Sequence, residues 1–210
     1  ICKKLNIVLV NSAQSVLGGF DAKLAQKTEA RLRELGVVIK NERKVIALTH
    51  ESVTLSCSET LDMDFMIYTG GIEPNGLIYD LALDKNEKGY LVTNEYLQVQ
   101  NYSEVFAIGD CTTLYNNGKT VPSTADTAEQ MAELCAKNIN NLIAEKPLIK
   151  HNIDSRGVLI ALGKNYAVAK IFGLYINGYA AYIMKKIIEK VYAKNLDMRS
   201  KKGCQKIFCD

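Results

Sequence analysis

Glu104-Val-Phe-Ala-Ile-Gly-Asp110 decides how this 210-residue chain is read, because an apolar run ends there on a Gly–Asp pair. Val105 to Ile108 has the length and composition of a buried parallel strand. Gly109 carries no Cβ, so another molecule can approach its backbone closely. Asp110 follows at the carboxyl end of that strand, where open α/β sheets bind ligands. A carboxylate in that place accepts hydrogen bonds from sugar-like hydroxyls. Read alone, the pair is also compatible with a simple turn.

The stretches before it alternate strand and helix. Leu5–Val10 reads as a strand, and Asp21 opens a helix to Leu35 with Leu24, Thr28, Leu32 and Leu35 on one face and Gly36 as its stop. Glu29 and Arg33 are placed to pair one turn apart. Val37–Ile39 is the next strand, which makes a parallel β–α–β unit. Val45–Leu48 and Ser52–Leu55 form a hairpin around Thr49-His50-Glu51. Asp64–Tyr68 reads as a buried strand ended by Thr69-Gly70-Gly71, where paired glycines admit a close neighbour.

After Gly109-Asp110, Pro122-Ser-Thr-Ala-Asp126 reads as a helix entry, with Ser123 as cap and Asp126 completing a capping-box pattern. The helix extends to about Ala144 on an apolar stripe of Ala125, Ala128, Ala132, Cys135, Ile139 and Leu142. Its first turn offers unpaired N–H groups and a partial positive charge suited to an anion or an electron-rich ring. Arg156–Gly163 and Val168–Ile171 read as strands. Tyr175–Tyr192 fits an amphipathic helix with Ile176, Tyr179, Ala180, Ile183, Ile187 and Val191 on one face and lysines opposite.

Composition bounds the function. Hydrophobic residues are 48% and charged residues 23% of the chain, an ordinary globular balance. The net charge of +3 is too small to point to nucleic acid, although lysines crowd the last third. No run of apolar residues is long enough to span a bilayer. Six cysteines are present; Cys204 and Cys209 are the only pair close in sequence, and no metal set is expected from them. His50 and His151 sit in polar stretches and read as surface residues, so no side-chain catalyst is assigned.

In order, Leu5-Asn-Ile-Val-Leu-Val10, Leu32-Arg-Glu-Leu-Gly-Val37, Asp64–Pro74, Val105–Asp110 and Pro122-Ser-Thr-Ala125 resemble the C-terminal half of a two-dinucleotide-domain flavoprotein. The ending Ser155–Ala169, followed by Gly173, Gly178 and a helix, resembles the type II NADH:quinone oxidoreductases of the pyridine nucleotide-disulfide oxidoreductase superfamily. The resemblance implies an α/β fold, a partial Rossmann-like flavoprotein with a C-terminal strand-plus-amphipathic-helix region. It implies three segments: residues 1–74 as the later part of an NAD(P)H domain, 75–148 as the C-terminal part of an FAD domain, and 149–210 as a membrane-surface region.

It also implies roles. Asp110 would hold the ribityl chain of FAD and Gly109 its pyrophosphate, while Ser123, Thr124 and Ala125 would face the flavin pyrimidine edge. Gly70 and Gly71 would lie along the bound nicotinamide nucleotide, and Asn11 would meet its adenosine ribose, at a position where such families carry an acid. Asp126 and Gln130 would border the quinone. Electrons would pass from NAD(P)H through FAD to a quinone or similar acceptor, with Tyr175–Tyr192 on a membrane surface. The location implied is cytoplasmic, with peripheral attachment to the inner membrane face as an option and oligomer formation open. No G-x-G-x-x-G loop occurs in the chain, so a partial protein is expected. Two other readings stand beside this one: a thiol–disulfide reductase using Cys204 and Cys209, and a non-catalytic surface module.

Overall fold

The computed structural model describes residues 5–116 and 118–208, with side chains as far as residue 198. Strand β1 (Val8–Val10), helix α1 (Ala22–Glu34) and strand β2 (Val38–Lys40) form the expected parallel unit, with Val8 opposite Val38 and Val10 opposite Lys40. Asp21 caps α1, its carboxylate accepting from the Lys23 and Leu24 amides at 3.0 and 3.3 Å. Gly36 ends the helix at φ +86°, a conformation open to a residue without a Cβ. Glu29 and Arg33 pair at 3.4 Å. Leu24 and Thr28 are buried on the expected face, whereas Leu35 is exposed.

A small antiparallel meander follows: β3 (Val45–Leu48), β4 (Ser52–Leu55) and β5 (Thr60–Asp62). The Thr49 hydroxyl accepts from the Ser52 amide at 3.0 Å and closes the expected hairpin. Along β4, Val53 and Leu55 are buried and alternate with partly exposed residues, the period of a half-buried strand.

Asp64–Tyr68 is not a strand. Phe65 is 82% and Ile67 77% exposed, and the segment runs free of any sheet. A strand needs a ladder partner for its backbone groups, and among the described residues none pairs with this segment. Apolar composition fitted a buried strand, but the chain provides no ladder there.

Residues 68–156 form one compact unit, and residues up to 67 form another together with those from 157 onward. The middle unit has little regular sheet. It contains the short helix α2 (Gly76–Asp80), isolated bridges such as Gln98–Phe106 and Leu91–Thr112, a hairpin of β6 (Tyr115–Asn116) and β7 (Lys119–Thr120), and the long helix α3 (Ala125–Ile143). Val105–Ile108 is therefore extended chain with one antiparallel bridge and not a parallel strand. Its burial survives that correction: Ala107 packs with Leu91 and Val99, while Phe106 and Ile108 pack on Leu97, Leu114 and Met131.

The buried stripe of α3 also differs from expectation. Thr127, Met131, Cys135 and Asn138 face the core, while Ala132, Ile139 and Leu142 are exposed. Asn138 explains the shift. Its amide donates to the Tyr96 and Ile149 carbonyls at 3.0 and 2.9 Å and accepts from the Ile149 amide at 2.8 Å. A fully bonded carboxamide is stable in a core, so hydrophobicity alone misplaces this face.

The chain then returns with β8 (Gly157–Ala161), β9 (Ala167–Ile171), β10 (Leu174–Gly178) and α4 (Tyr179–Phe208). The three strands make an antiparallel sheet with β9 in the centre. On one face Val168 packs with Leu24 of α1, and on the other Ala167 and Ala169 pack with Ala181 of α4. Tyr175–Gly178 belongs to β10, so the expected helix at Tyr175 starts four residues later. Tyr175, Ile176 and Tyr179 suit either period, and pairing with β9 decides it. Along α4, Ile183, Ile187, Ile188 and Val191 are exposed beside Lys186 and Lys190. No helix among the described residues is long and apolar enough to cross a membrane.

Candidate functional site

The middle unit brings the Gly–Asp turn against the start of α3. Ile108 is extended, and Gly109 then takes φ +70°, turning the chain into a single 3-10 turn over Gly109–Cys111. The Gly109 amide donates to the Met131 thioether at 3.2 Å. The Thr112 amide donates to the Gly109 carbonyl at 3.3 Å, and the Thr112 hydroxyl donates to the Leu91 carbonyl at 2.9 Å. A Cβ placed at Gly109 would touch nothing within 4 Å, so the turn's outer side is open space. Asp110 is exposed and pairs with no cation among the described residues.

Across the pocket, Thr124 caps α3 rather than Ser123. Thr124 and Thr127 form a reciprocal capping box: the Thr127 amide donates to the Thr124 hydroxyl at 3.3 Å and the Thr124 amide to the Thr127 hydroxyl at 3.1 Å. The Thr127 hydroxyl also donates to the Pro122 carbonyl at 2.7 Å. The box thus lies one residue beyond the expected Ser123–Asp126 pair. The next first-turn amides, at Ala125 and Asp126, lie beyond intrahelical reach and carry the positive end of the helix.

Between these walls is an open pocket of about 210 Å³, counting the space continuous with solvent. Gly109, Asp110, Ser123 and Thr124 line it together, four of the positions expected from sequence; Ala125, the next residue of the chain, is exposed and does not line it. Thr112, Thr127 and Met131 line it too and were missed. The signal for two of them was present: Thr127 and Met131 are one turn apart on α3, on the face turned to Gly109.

Asp126 and Gln130 are engaged elsewhere in the same unit. The Asp126 carboxylate accepts the Arg156 amide at 3.0 Å and lies 3.6 Å from its guanidinium; Gln130 donates to the Asp154 carbonyl at 2.9 Å. Together they fasten the return segment onto the first two turns of α3. Gly70 and Gly71 are exposed, Gly71 at φ +135°. A Cβ on Gly70 would collide with the Tyr68 ring.

Asn11 lies in the other unit, at the end of β1. Its amide donates to the Ser15 carbonyl at 2.7 Å and the Ala13 carbonyl at 3.1 Å, and so shapes the following loop.

Burial pushes the pKa of His151 down, only partly opposed by Glu95. Cys57, Cys111 and Cys135 are free thiols, and burial pushes the Cys135 thiol up. Cys209 and the side chain of Cys204 lie outside the described residues.

A family model described as pyridine nucleotide-disulphide oxidoreductase matches residues 2–132. Demethylphylloquinone reductase NdbB of Synechocystis is 33% identical over 167 residues, covering 78% of this chain and 41% of that protein. A type II NADH:quinone oxidoreductase of Staphylococcus saprophyticus is 26% identical over 191 residues, covering 89% of this chain and 47% of the relative. The structure of NDH2 from Plasmodium falciparum in complex with NADH aligns with a TM-score of 0.78 at 15% identity, over 88% of this chain and 54% of that one. The fold is that of part of a two-dinucleotide-domain flavoprotein. The chain spans less than half the length of the curated relatives it matches.

Proposed function

The chain belongs to the pyridine nucleotide-disulphide oxidoreductase family, and from that premise we propose that it is the C-terminal portion of a flavoprotein carrying electrons from NAD(P)H to a quinone. The observation that carries this reading is the pocket in which the Gly109–Asp110 turn faces the capped start of α3. The residues fit FAD. Gly109 leaves open space for a close backbone approach, and Asp110 presents a carboxylate that pairs with no cation among the described residues.

In this reading Asp110 accepts from ribityl hydroxyls while Gly109 admits the pyrophosphate. Ser123, Thr124 and Ala125 present the positive helix end to the pyrimidine edge, favouring negative charge there. Met131 and Thr112 hold the Gly–Asp turn from behind. FAD, when bound, supplies the two-electron chemistry between reduced nicotinamide and quinone. The loop that Asn11 shapes after β1 serves the adenosine end of the nicotinamide nucleotide. Asp126 and Gln130 border the quinone while fastening residues 154–156.

The exposed Ile183, Ile187, Ile188 and Val191 of α4, beside Lys186 and Lys190, suit an interfacial helix on an anionic membrane. This supports a peripheral location.

The test is to purify the complete polypeptide that carries this chain and to assay its visible flavin absorbance and its NAD(P)H:quinone reductase activity. Asp110→Ala is expected to lose bound flavin while keeping its fold. A complete protein that stays colourless after incubation with FAD overturns the reading.

A further inference from the structure

The loop after β1 is built around an amide where a dinucleotide site reading a free ribose diol needs a carboxylate. Besides its bonds to the Ala13 and Ser15 carbonyls, Asn11 Nδ2 donates to Asn41 Oδ1 at 3.1 Å, and Asn11 Oδ1 accepts the Ala13 amide at 3.4 Å. The side chain is thus committed to its own loop. Asn41 in turn donates to Glu29 Oε1 at 2.9 Å, and the same oxygen accepts the Val16 amide at 3.0 Å. Arg33 takes the other oxygen of Glu29. The acid tied to this network is consumed within it, and these hydrogen bonds, the Asn41 amide's foremost, hold its pKa below the usual glutamate value.

A basic residue is anchored by its backbone to the same strand end. The Arg43 amide donates to the Asn11 carbonyl at 3.0 Å, which roots the arginine beside the strand end. Its guanidinium donates through Nη1 to the Glu42 carbonyl at 3.0 Å, and among the described residues it forms no ion pair. Lys44, next to Arg43, and Ser12, next to Asn11, are exposed. A ribose diol requires acceptors, whereas a phosphate monoester requires donors and positive charge. The strand end offers the second set.

We propose that this chain selects the 2′-phosphorylated nicotinamide dinucleotide, with Arg43 as the residue that holds the 2′-phosphate. The inference rests on the nucleotide role assigned to this loop above, and it names the substrate of that site.

The test uses the complete protein in two measurements: steady-state kinetics with NADPH and with NADH at fixed quinone, and calorimetric binding of 2′,5′-ADP against 5′-AMP. NADPH is expected to give the higher kcat/KM, and 2′,5′-ADP to bind more tightly than 5′-AMP. Arg43→Ala is expected to lower both preferences about tenfold, through KM for NADPH, as for loss of one charged hydrogen bond. Arg43→Lys, which keeps the charge and loses the fork, is expected to fall between them. A wild-type preference for NADH, or preferences that Arg43→Ala leaves unchanged, overturns the inference and leaves the flavoenzyme reading standing. Failure to bind either dinucleotide overturns both.

Discussion

The backbone amide of Gly109 donates to the thioether sulfur of Met131 at 3.2 Å, joining the Gly–Asp turn to the second turn of α3. Met131 is buried, 4% exposed, in the same cluster as Leu97, Leu114 and Val121. The turn is thus clamped from its apolar side and open on the other. Met131→Leu keeps the volume but orphans the amide. It is expected to cost about 1–3 kcal/mol, read by urea unfolding, and to weaken flavin retention. Unchanged stability and flavin content would show that the sulfur contact is incidental.

Gly109→Ala meets no steric obstacle outside the backbone, since an added Cβ finds nothing within 4 Å. Its cost comes from φ +70°, which an L-residue adopts at about 1–2 kcal/mol. A stability loss in that range is expected by the same measurement.

Gly157→Ala fails for the opposite reason. A Cβ there would sit 2.7 Å from the Lys170 carbonyl and 3.0 Å from the Ile171 Cα, both backbone atoms of β9. The strand pair must separate to admit it. A lowered Tm is expected, and larger residues at 157 should lower it further.

Asp21 caps α1 and bridges to Lys170 at 2.9 Å. Hydrogen bonds from Tyr175 first and Lys170 second pull its pKa from 3.8 to about 2. Because the folded value is the lower one, this contribution is fully present above about pH 4 and is lost as pH falls through about 2. Asp21→Asn should therefore flatten the acid limb of the stability–pH curve in that window. An acid limb identical to wild type would assign the interaction no role in stability.

Asn138 joins α3 to the segments at Tyr96 and Ile149 through three hydrogen bonds. Asn138→Leu buries unsatisfied backbone groups and is expected to cost about 1–3 kcal/mol for each. Thermal unfolding of the variant measures it.

Local signals were readable wherever the chain carries its own punctuation. Asp21 and Gly36 bound α1, Glu29 meets Arg33, and Thr49 closes the β3–β4 turn, because each depends on residues a few positions apart. The pocket positions at Gly109, Asp110, Ser123 and Thr124 were likewise legible from two short motifs. Partnership across the fold was not. Phe65 and Ile67 look buried by type, yet no ladder receives them, and Thr127 and Asn138 look exposed by type, yet hydrogen bonds let them into the core. The commitment of Asn11 to its own loop depends on carbonyl directions that residue type does not reveal.

Strand β9 touches α1 through Val168 and α4 through Ala167 and Ala169, so one element serves both layers. Its bond from Lys170 to Asp21 spans 149 residues of sequence. During synthesis, α1 must therefore wait with Leu24 uncovered while the whole middle unit is made. Such non-local closure slows folding and leaves an aggregation-prone surface in the interval. The ribosome-bound nascent chain, rather than the finished molecule, is where this architecture is most vulnerable.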